Sequence, residues 1–415
     1  MLVEFRVENH RSIREEQAFS MEASSSSKIS ASSHSRRVEG HKQNILSVAA
    51  IYGANGSGKS NFLHALSFMQ QAVIQSHVHW EAGAKIPRSP FAWWDGPSDD
   101  SLYEATFITN GIKYVYGFVV NDESFVEEWL YAYPKGFRQV WFERELTADG
   151  YQFKFGDFFH GRNKFLESLT RPNALFVSVA AQNQHELILP VYEWFWRIYT
   201  ISLSHQKHHI VRSSGRKLLE SDPSLSRAFM LLLRAADLGV IGFEFDDSVR
   251  GTGSLSRHQG IRLLHQGGTD NLPNWLPLAE ESSGTQCLFD RGVTFLHALK
   301  NSGVLLVDEI EKDLHPYVAA AIVRLFLSIH SNPGLAQLIF STHDTNLLGA
   351  RGDDGHILAR DQVWLTEKNS QGSTTIYPLT DYKPRKSESI ERGYLSGRYG
   401  AVPFIGDFEN IPVLG

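Results

Sequence analysis

The chain has 415 residues, of which 42% are hydrophobic and 21% charged, as in a globular protein of two or three domain-sized units or one core with insertions. Its net charge of −6 excludes a global electrostatic attraction to nucleic acid, so DNA contact would need a local basic patch. The single cysteine, Cys287, excludes an intramolecular disulfide and a cysteine-rich zinc site. No apolar run approaches the ~20 residues that span a bilayer, and the N-terminus lacks a signal-peptide pattern. We therefore expect a cytoplasmic protein with no membrane contact.

The N-terminal region predicts two short strands. Residues 1–22 begin with an alternation of apolar and charged side chains, and a second strand is predicted at 18–19. Arg11 lies near the turn between them. The serine-rich residues 23–35 are predicted to form a mobile loop.

The segment Gly53–Ser60 fits G-x-x-x-x-G-K-[ST], the phosphate-binding P-loop. Residues 45–52 before it read as a buried strand, and residues 61–69 after it read as a helix, which is the context the motif requires. Glycines let the backbone N–H groups and the helix N-terminus approach the phosphates. Lys59 would add a charge on the β- and γ-phosphates, and Ser60 would bind Mg²⁺.

The middle of the chain changes from strands to helices. Residues 101–147 predict an antiparallel meander, with Asn110–Gly111 as a hairpin turn. Residues 174–179 predict a further apolar strand. The segment 184–240 is predicted to be mainly helical, and the polar, glycine-rich residues 247–274 predict loops.

The apolar run 303–307 ends in two acids, Asp308 and Glu309. A central parallel strand buried on both faces has this composition, and ligands bind at the carboxyl ends of such strands. Asp308 fits the residue that holds Mg²⁺, and Glu309 fits the group that orients or deprotonates the attacking water. The alternative, a strand end capped by two solvated acids, becomes weaker once a P-loop precedes it.

A helix at 316–330, a buried strand at 337–341 and a hairpin at 362–378 follow. His343 comes directly after the strand, where it could contact the γ-phosphate, although a histidine bonded to a carbonyl is the alternative. Earlier, Ser283 and Gly284 precede a predicted helix and could offer a hydroxyl and N–H groups to a phosphate. An ordinary serine cap is the alternative there.

Together these pieces resemble the ATP-binding-cassette (ABC) heads of the RecF, SMC and overcoming-lysogenization-defect (OLD) group. The resemblance is carried by GANGSGKSN (53–61), the Walker B strand LLVDEI (305–310) and STHD (341–344), the H-loop. ESSGTQ (281–286) is similar to the group's signature motif, and DLHP (313–316) is similar to its D-loop. The resemblance implies an α/β fold, an ABC-type head with a mixed β lobe, a parallel-sheet RecA-like lobe and a short helical insertion.

The resemblance also implies a set of site residues. Gln182 stands where the Q-loop glutamine should be, with Gln184 as its rival, and Arg11 matches an N-terminal arginine position. The implied catalytic residues are Glu309, His343 and Lys59, and the implied metal ligands are Ser60, Asp308 and Gln182. The implied nucleotide-binding residues are Gly53, Ala54, Asn55, Gly56, Ser57, Gly58, Lys59, Ser60, Asn61, Gln182, Ser283, Gly284 and Arg11.

The segment YLSGRYGAVP (394–403) narrows the resemblance to the ABC-like ATPases of phage defence, similar to RloA and to the ATPase of the phage anti-restriction-induced system. Four segments are expected: an N-terminal ATPase lobe (1–183), a mainly helical insertion (184–275), a C-terminal ATPase lobe (276–379) and a tail (380–415). We find no nuclease motif after residue 345, and Asp353–Asp354 is interpreted as solvated. His205, His208 and His209 are spaced poorly for a metal and are interpreted as a solvated face.

In the resembling family two heads bind ATP and Mg²⁺ between them, so a homodimer or higher even oligomer with slow ATP hydrolysis is implied. The first functional hypothesis is a sensor or scaffold of anti-phage defence that controls a separately encoded effector, a nuclease or TOPRIM-type protein. A phage protein would be its trigger. The second is a RecF-like DNA-repair ATPase. It would bind DNA through basic residues of the insertion and tail, namely Lys207, Arg212, Arg216, Lys217, Lys383, Arg385, Lys386, Arg392 and Arg398.

Overall fold

The computed structural model describes residues 1–24, 35–93, 99–203, 209–236, 238–245, 260–267, 274–349, 356–383, 388–403 and 406, the side chains of 209–214 excepted. The strands are β1 Leu2–Glu8, β2 Gln17–Ser20, β3 Ser35–Arg37, β4 Asn44–Leu46, β5 Val48–Gly53, β6 Ser101–Thr109, β7 Ile112–Val120, β8 Phe125–Tyr133, β9 Gln139–Thr147, β10 Gly150–Phe155, β11 Ile198–Ile201, β12 Val240–Phe245, β13 Ile261–His265, β14 Trp275–Pro277, β15 Val304–Val307, β16 Gln337–Ser341, β17 Val363–Lys368 and β18 Thr374–Pro378. The helices are α1 Lys59–Gln75, α2 Asn163–Leu169, α3 Phe176–Gln182, α4 Leu189–Trp196, α5 His209–Ser221, α6 Pro223–Ala235, α7 Ser283–Lys300, α8 Pro316–Leu327 and α9 Ile390–Leu395.

Two large sheets organise the molecule. The first is antiparallel, with the order β10-β9-β8-β7-β6-β1-β2, and it contains the predicted meander. Asn110 and Gly111 have φ values of 49° and 75° and join β6 to β7, which confirms the predicted two-residue turn. The second has the order β11-β15-β16-β5-β17-β18, in which the first five strands are parallel and β18 is antiparallel. The predicted α/β fold with two kinds of sheet is confirmed.

Helix α1 lies between the two sheets. The ring of Phe62 is 5.7 Å from that of Phe5 and 5.2 Å from that of Phe19, and the same core contains Ala49 and Ile51 of β5. The opposite face of the parallel sheet packs against α6, α7 and α8 in a second core. Because β5 is buried on both faces, its sequence is an uninterrupted apolar run, and it delivers the P-loop to the carboxyl edge of the sheet.

The predicted strand at 174–179 is wrong, because residues 176–179 form the first part of α3. The carboxylate of Glu128 accepts hydrogen bonds from Phe176 N (2.7 Å) and Val177 N (3.1 Å) at the N-terminus of that helix. Glu128 is fully buried beside Arg144, with 3.4 Å between their charged atoms. A buried carboxylate from a strand 48 residues earlier satisfies the first N–H groups, so local pattern does not decide the conformation.

The boundaries of the four predicted segments stay a prediction. Within 184–275, the described residues form α4, α5 and α6 but also β11, which is part of the parallel sheet, and a small sheet of β12, β13 and β14. The serine-rich loop lies outside the described residues except at its ends, as do Asp353 and Asp354. None of the helices in the described part of the chain is long and apolar enough to cross a membrane.

Candidate functional site

The P-loop joins β5 to α1, as predicted. Gly56 and Gly58 have φ values of 77° and 109°, which favour glycine, and Ser57 N donates to Ala54 O at 3.2 Å to close the turn. Lys59 Nζ donates to the carbonyls of Gly53 (2.8 Å) and Ala54 (3.0 Å). Burial lowers the pKa of Lys59, and the carboxylates of Asp308, Glu309 and Glu311 partly oppose that shift. A buried ammonium at a helix N-terminus is suited to a phosphate anion.

The hairpin of β17 and β18 supports the P-loop from one side. Thr366 Oγ1 lies 2.7 Å from Ser57 Oγ, and Thr374 Oγ1 donates to Ser57 O at 2.8 Å. A Cβ on Gly53 would collide with Thr366, and one on Gly58 would collide with Thr374. Two of the motif's glycines are therefore required by packing as well as by ligand approach. The sequence predicted the hairpin but not this contact, since two isolated threonines carry no motif.

The next polar cluster joins α1 to the Walker B strand. Ser60 Oγ donates to Asp308 Oδ1 at 2.8 Å, and Ser341 Oγ donates to the same oxygen at 2.6 Å. A serine hydroxyl and one carboxylate suit Mg²⁺, which keeps most of its other ligands as water and phosphate oxygens. Across the described residues there is no cluster of three histidine, cysteine, aspartate or glutamate side chains that could hold a metal alone. The residues present therefore fit Mg²⁺ bound together with a nucleotide.

Glu309 follows Asp308 in a left-handed conformation, with φ of 52°. Its N–H donates to Ser341 Oγ at 2.8 Å, and Ile310 N donates to Ser341 O at 3.1 Å. These bonds fix the end of β15 against β16. The Glu309 carboxylate is half-buried, and Lys312 Nζ lies 3.8 Å from it. Such a group is accessible to water and held near a cation, as the predicted role requires.

His343 is exposed at the end of β16. Its backbone N–H donates to Glu311 Oε1 at 2.7 Å. Partial desolvation of the ring lowers the pKa of His343, the charge of Lys59 lowers it further, and the neighbouring acids raise it. The same interactions place His343 within electrostatic range of Lys59, Asp308 and Glu309, so the structure brings these four predicted residues together.

The signature motif forms the start of α7. Ser282, not Ser283, is the helix cap: its Oγ accepts from Thr285 N at 3.2 Å. Ser283 is exposed, and a Cβ on Gly284 would lie 3.1 Å from the carbonyl oxygen of Asp313 in the D-loop. Cys287, one turn further, points its thiol at Lys312 O at 3.4 Å. The signature turn and the D-loop therefore form one continuous surface.

The structure does not place Gln182 at the metal side of the site, where the sequence predicted it. Its side chain donates to the hydroxyl of Tyr192 at 3.1 Å, and that hydroxyl donates to Ile74 O at 3.4 Å. Ile74 is near the C-terminal end of α1, so at 1.5 Å per residue it lies ~20 Å along the helix from Ser60. Gln182 therefore does not reach the metal side of the site, and Gln184, two residues later, belongs to the same distant end.

The strand that ends beside Asp308 is β11. Ile201 O accepts from Asp308 N at 3.1 Å, and Ser202, with φ of 65°, follows directly. Arg291 of α7 reaches Ser202 Oγ at 3.3 Å. The chain after β11 is thus the part of the 184–275 segment that meets the site. The sequence did not predict this strand, because the four residues of β11 are too few to show a strand pattern.

Arg11 and Asn61 are connected to the site through the loop between β1 and β2. Asn61 Nδ2 donates to Ser12 Oγ at 2.7 Å, and Ser12 Oγ lies 2.8 Å from Thr374 Oγ1, next to the P-loop. Arg11 itself is exposed, with a backbone φ of 53°. The structure therefore places Arg11 one residue from a direct contact with α1.

The remaining candidates contribute little. His205 and His208 lie outside the described residues, as does the side chain of His209. Two of the basic residues proposed for DNA are paired with acids: Arg216 with Glu220 at 2.7 Å and Arg398 with Glu388. Lys207, Arg385, Lys386 and the side chain of Arg212 are also outside the part that is described.

We expect Lys59→Ala to weaken ATP binding by roughly 10²-fold, because it removes a charged hydrogen-bond donor from a buried position. Titration of a fluorescent ATP analogue measures the effect. Lys164→Ala, which removes an exposed lysine of α2, is the matched control and should bind normally. Unchanged affinity of Lys59→Ala would show that this P-loop does not hold the nucleotide.

Comparison with known proteins identifies the family to which the chain belongs. Residues 48–349, well over half of the chain, match the family described as "AAA domain, putative AbiEii toxin, Type IV TA system". No curated protein matches the chain. Among solved structures, the "Crystal structure of the SmcHead bound to the C-winged helix domain of ScpA" matches with 12% identity and a TM-score of 0.46, covering 94% of this chain and 99% of that one. The matched residues span the P-loop, the Walker B strand and His343, and the chain therefore belongs to this family of AAA domains and is a P-loop ATPase.

Proposed function

We propose that this ATPase works as a dimer in which each ATP is held by the P-loop of one copy and the signature turn of the other. The observation that carries the proposal is the exposed surface formed by Ser283 and the D-loop. Asp313 and His315 are exposed, and Tyr317 keeps 65% of its surface accessible. An exposed aromatic ring and an exposed helix N-terminus are features that a second subunit and a phosphate would cover.

In this proposal Lys59 and the P-loop N–H groups bind the phosphates, and Ser60 with Asp308 holds Mg²⁺. The metal would neutralise phosphate charge. Glu309 orients a water molecule and accepts its proton, and His343 contacts the γ-phosphate. Because the partner's signature turn binds only when the γ-phosphate is present, hydrolysis shifts the population back to open subunits.

We place this cycle in a bacterial abortive-infection system, with the head as a cytoplasmic sensor or scaffold for a separately encoded effector. The support is the family description, which names a toxin of a type IV toxin–antitoxin system. The test is co-purification of the wild-type chain with its genomic neighbour, followed by phage challenge. We expect protection to be lost with Lys59→Ala and kept with Lys164→Ala. Equal protection by both variants would contradict the proposal.

Direct DNA binding is the second candidate, and the acid-paired Arg216 and Arg398 argue against it. The measurement is DNA affinity over a range of salt concentrations. A DNA-repair ATPase would lose affinity steeply with salt, whereas we expect weak binding with a small slope.

A further inference from the structure

Glu311 lies in the turn between the Walker B strand and the D-loop, and no motif in the sequence predicts a role for it. Its carboxylate uses both oxygens on the segment that carries His343. Thr342 Oγ1 donates to Oε2 at 2.7 Å, and His343 N donates to Oε1 at 2.7 Å. Thr342 is fully buried, and its hydroxyl also accepts from Asp344 N at 3.0 Å. The Glu311 side chain thus fixes two consecutive residues after β16, and the Thr342 hydroxyl holds the third, Asp344.

The turn around Glu311 is held from both sides. Glu309 and Asp313, two positions before and after it, have left-handed φ values of 52° and 61°. Backbone bonds from Lys312 N to Glu309 O (3.0 Å) and from Leu314 N to Glu311 O (2.9 Å) close it. Because these two bonds tie Glu309, Glu311, Lys312 and Leu314 together, we expect a displacement at Asp313 to displace Glu311 as well.

The two ends of this turn face different parts of the proposed dimer. Asp313 contacts Gly284 of the signature turn, on the exposed surface. Glu311 binds the backbone of His343, within electrostatic range of Lys59. Charge-assisted hydrogen bonds of 2.7 Å are among the stronger polar contacts in proteins, so this connection is stiff.

We propose that Glu311 is a positioning residue that transmits closure of the D-loop surface to His343, so that His343 is correctly placed only when the second copy is docked. This inference rests on the proposed dimer. It makes Glu311 necessary for turnover, with a small effect on ATP binding. The hydrogen bonds described above join Glu311 to neither the P-loop nor the metal ligands, and its carboxylate is one of three that act on Lys59.

The test compares Glu311→Ala, Glu311→Gln and His343→Ala with the double variant Glu311→Ala/His343→Ala. We expect Glu311→Ala to bind ATP within about twofold of wild type and to lose roughly 10- to 100-fold in kcat, since it acts through an oriented group. Glu311→Gln keeps one acceptor oxygen and should retain intermediate activity. The double variant should be no slower than His343→Ala, because the two changes remove the same function.

Several outcomes would overturn the proposal: multiplied losses in the double variant, a matching loss of ATP affinity, or a kcat of Glu311→Ala equal to wild type. Glu167→Gln, on the distant helix α2, is the control for removal of a carboxylate. Thermal melting confirms folding, and Glu311→Gln replaces Glu311→Ala if the latter does not fold. The mass of the wild-type chain with ATP separates the two ideas. A monomer would refute the dimer and the coupling with it, whereas a dimer combined with a wild-type kcat for Glu311→Ala would refute only the role of Glu311.

Discussion

Glu309→Gln is expected to bind ATP normally and to hydrolyse it at least about 10²-fold more slowly than the wild type, the usual effect of removing a general base. Glutamine has nearly the shape of glutamate, so the left-handed backbone at this position and its bond to Ser341 are retained. An amide cannot accept the proton of the attacking water. With hydrolysis blocked, the closed dimer should accumulate, and light scattering should give twice the mass of the monomer when ATP and Mg²⁺ are present.

The control for this experiment is Glu167→Gln, which removes a carboxylate of α2 paired with Lys164 and should leave the wild-type rate and mass distribution. Steady-state phosphate release measures turnover. A Glu309→Gln variant that hydrolyses ATP at the wild-type rate would exclude Glu309 as the base. If turnover is lost but the mass stays monomeric, the residue has the proposed role and the dimer does not form.

Ser283→Arg should keep the ATP affinity of the isolated subunit and lose both dimerisation and turnover. Ser283 is exposed at the first position of α7, where the helix dipole favours an anion. Arginine would place a long cationic side chain on the surface that docks against the partner's nucleotide. We expect a loss in kcat of roughly 10²-fold or more, comparable to removal of a transition-state contact.

Two matched variants accompany Ser283→Arg. Ser168→Arg introduces the same side chain at an exposed position of α2 and should be silent. Ser282→Ala removes the hydroxyl that caps α7 and should cost about 1 kcal/mol of stability without adding bulk. If Ser283→Arg turned over ATP at the wild-type rate, the signature turn would have no part in the site.

The P-loop, Asp308 and Glu309 could be predicted because each is a local motif attached to a buried parallel strand. Such strands are uniformly apolar, and their carboxyl ends meet at one edge of the sheet. The order of the motifs along the chain was therefore sufficient to predict that they share one site. Gln182 was assigned as the glutamine that follows a predicted strand at 174–179, whereas that segment belongs to α3 and β11 is the strand that ends beside Asp308. Strand pairing is a long-range property, and the four residues of β11 gave too short a pattern to reveal it.

The contacts that hold the site in shape were not visible in the sequence. Thr366, Thr374 and Glu311 each bond to a residue on another element, and single polar residues have no periodicity to detect. The helix at α3 was missed for a related reason, since its N-terminus depends on the buried Glu128. The boundaries of the four segments, a separately encoded effector and a phage-protein trigger stay predictions.

The most direct test of the composite site mixes two inactive variants, Lys59→Ala and Ser283→Arg. In a mixed dimer one site combines both defects, and the other combines an intact P-loop with an intact signature turn. Each mixed dimer has one intact site of two, so ATP turnover should recover far above that of either variant, to at most about half of the wild-type rate. Turnover that stays at the sum of the two separate variants would contradict the account, because it would mean that each subunit completes its site alone.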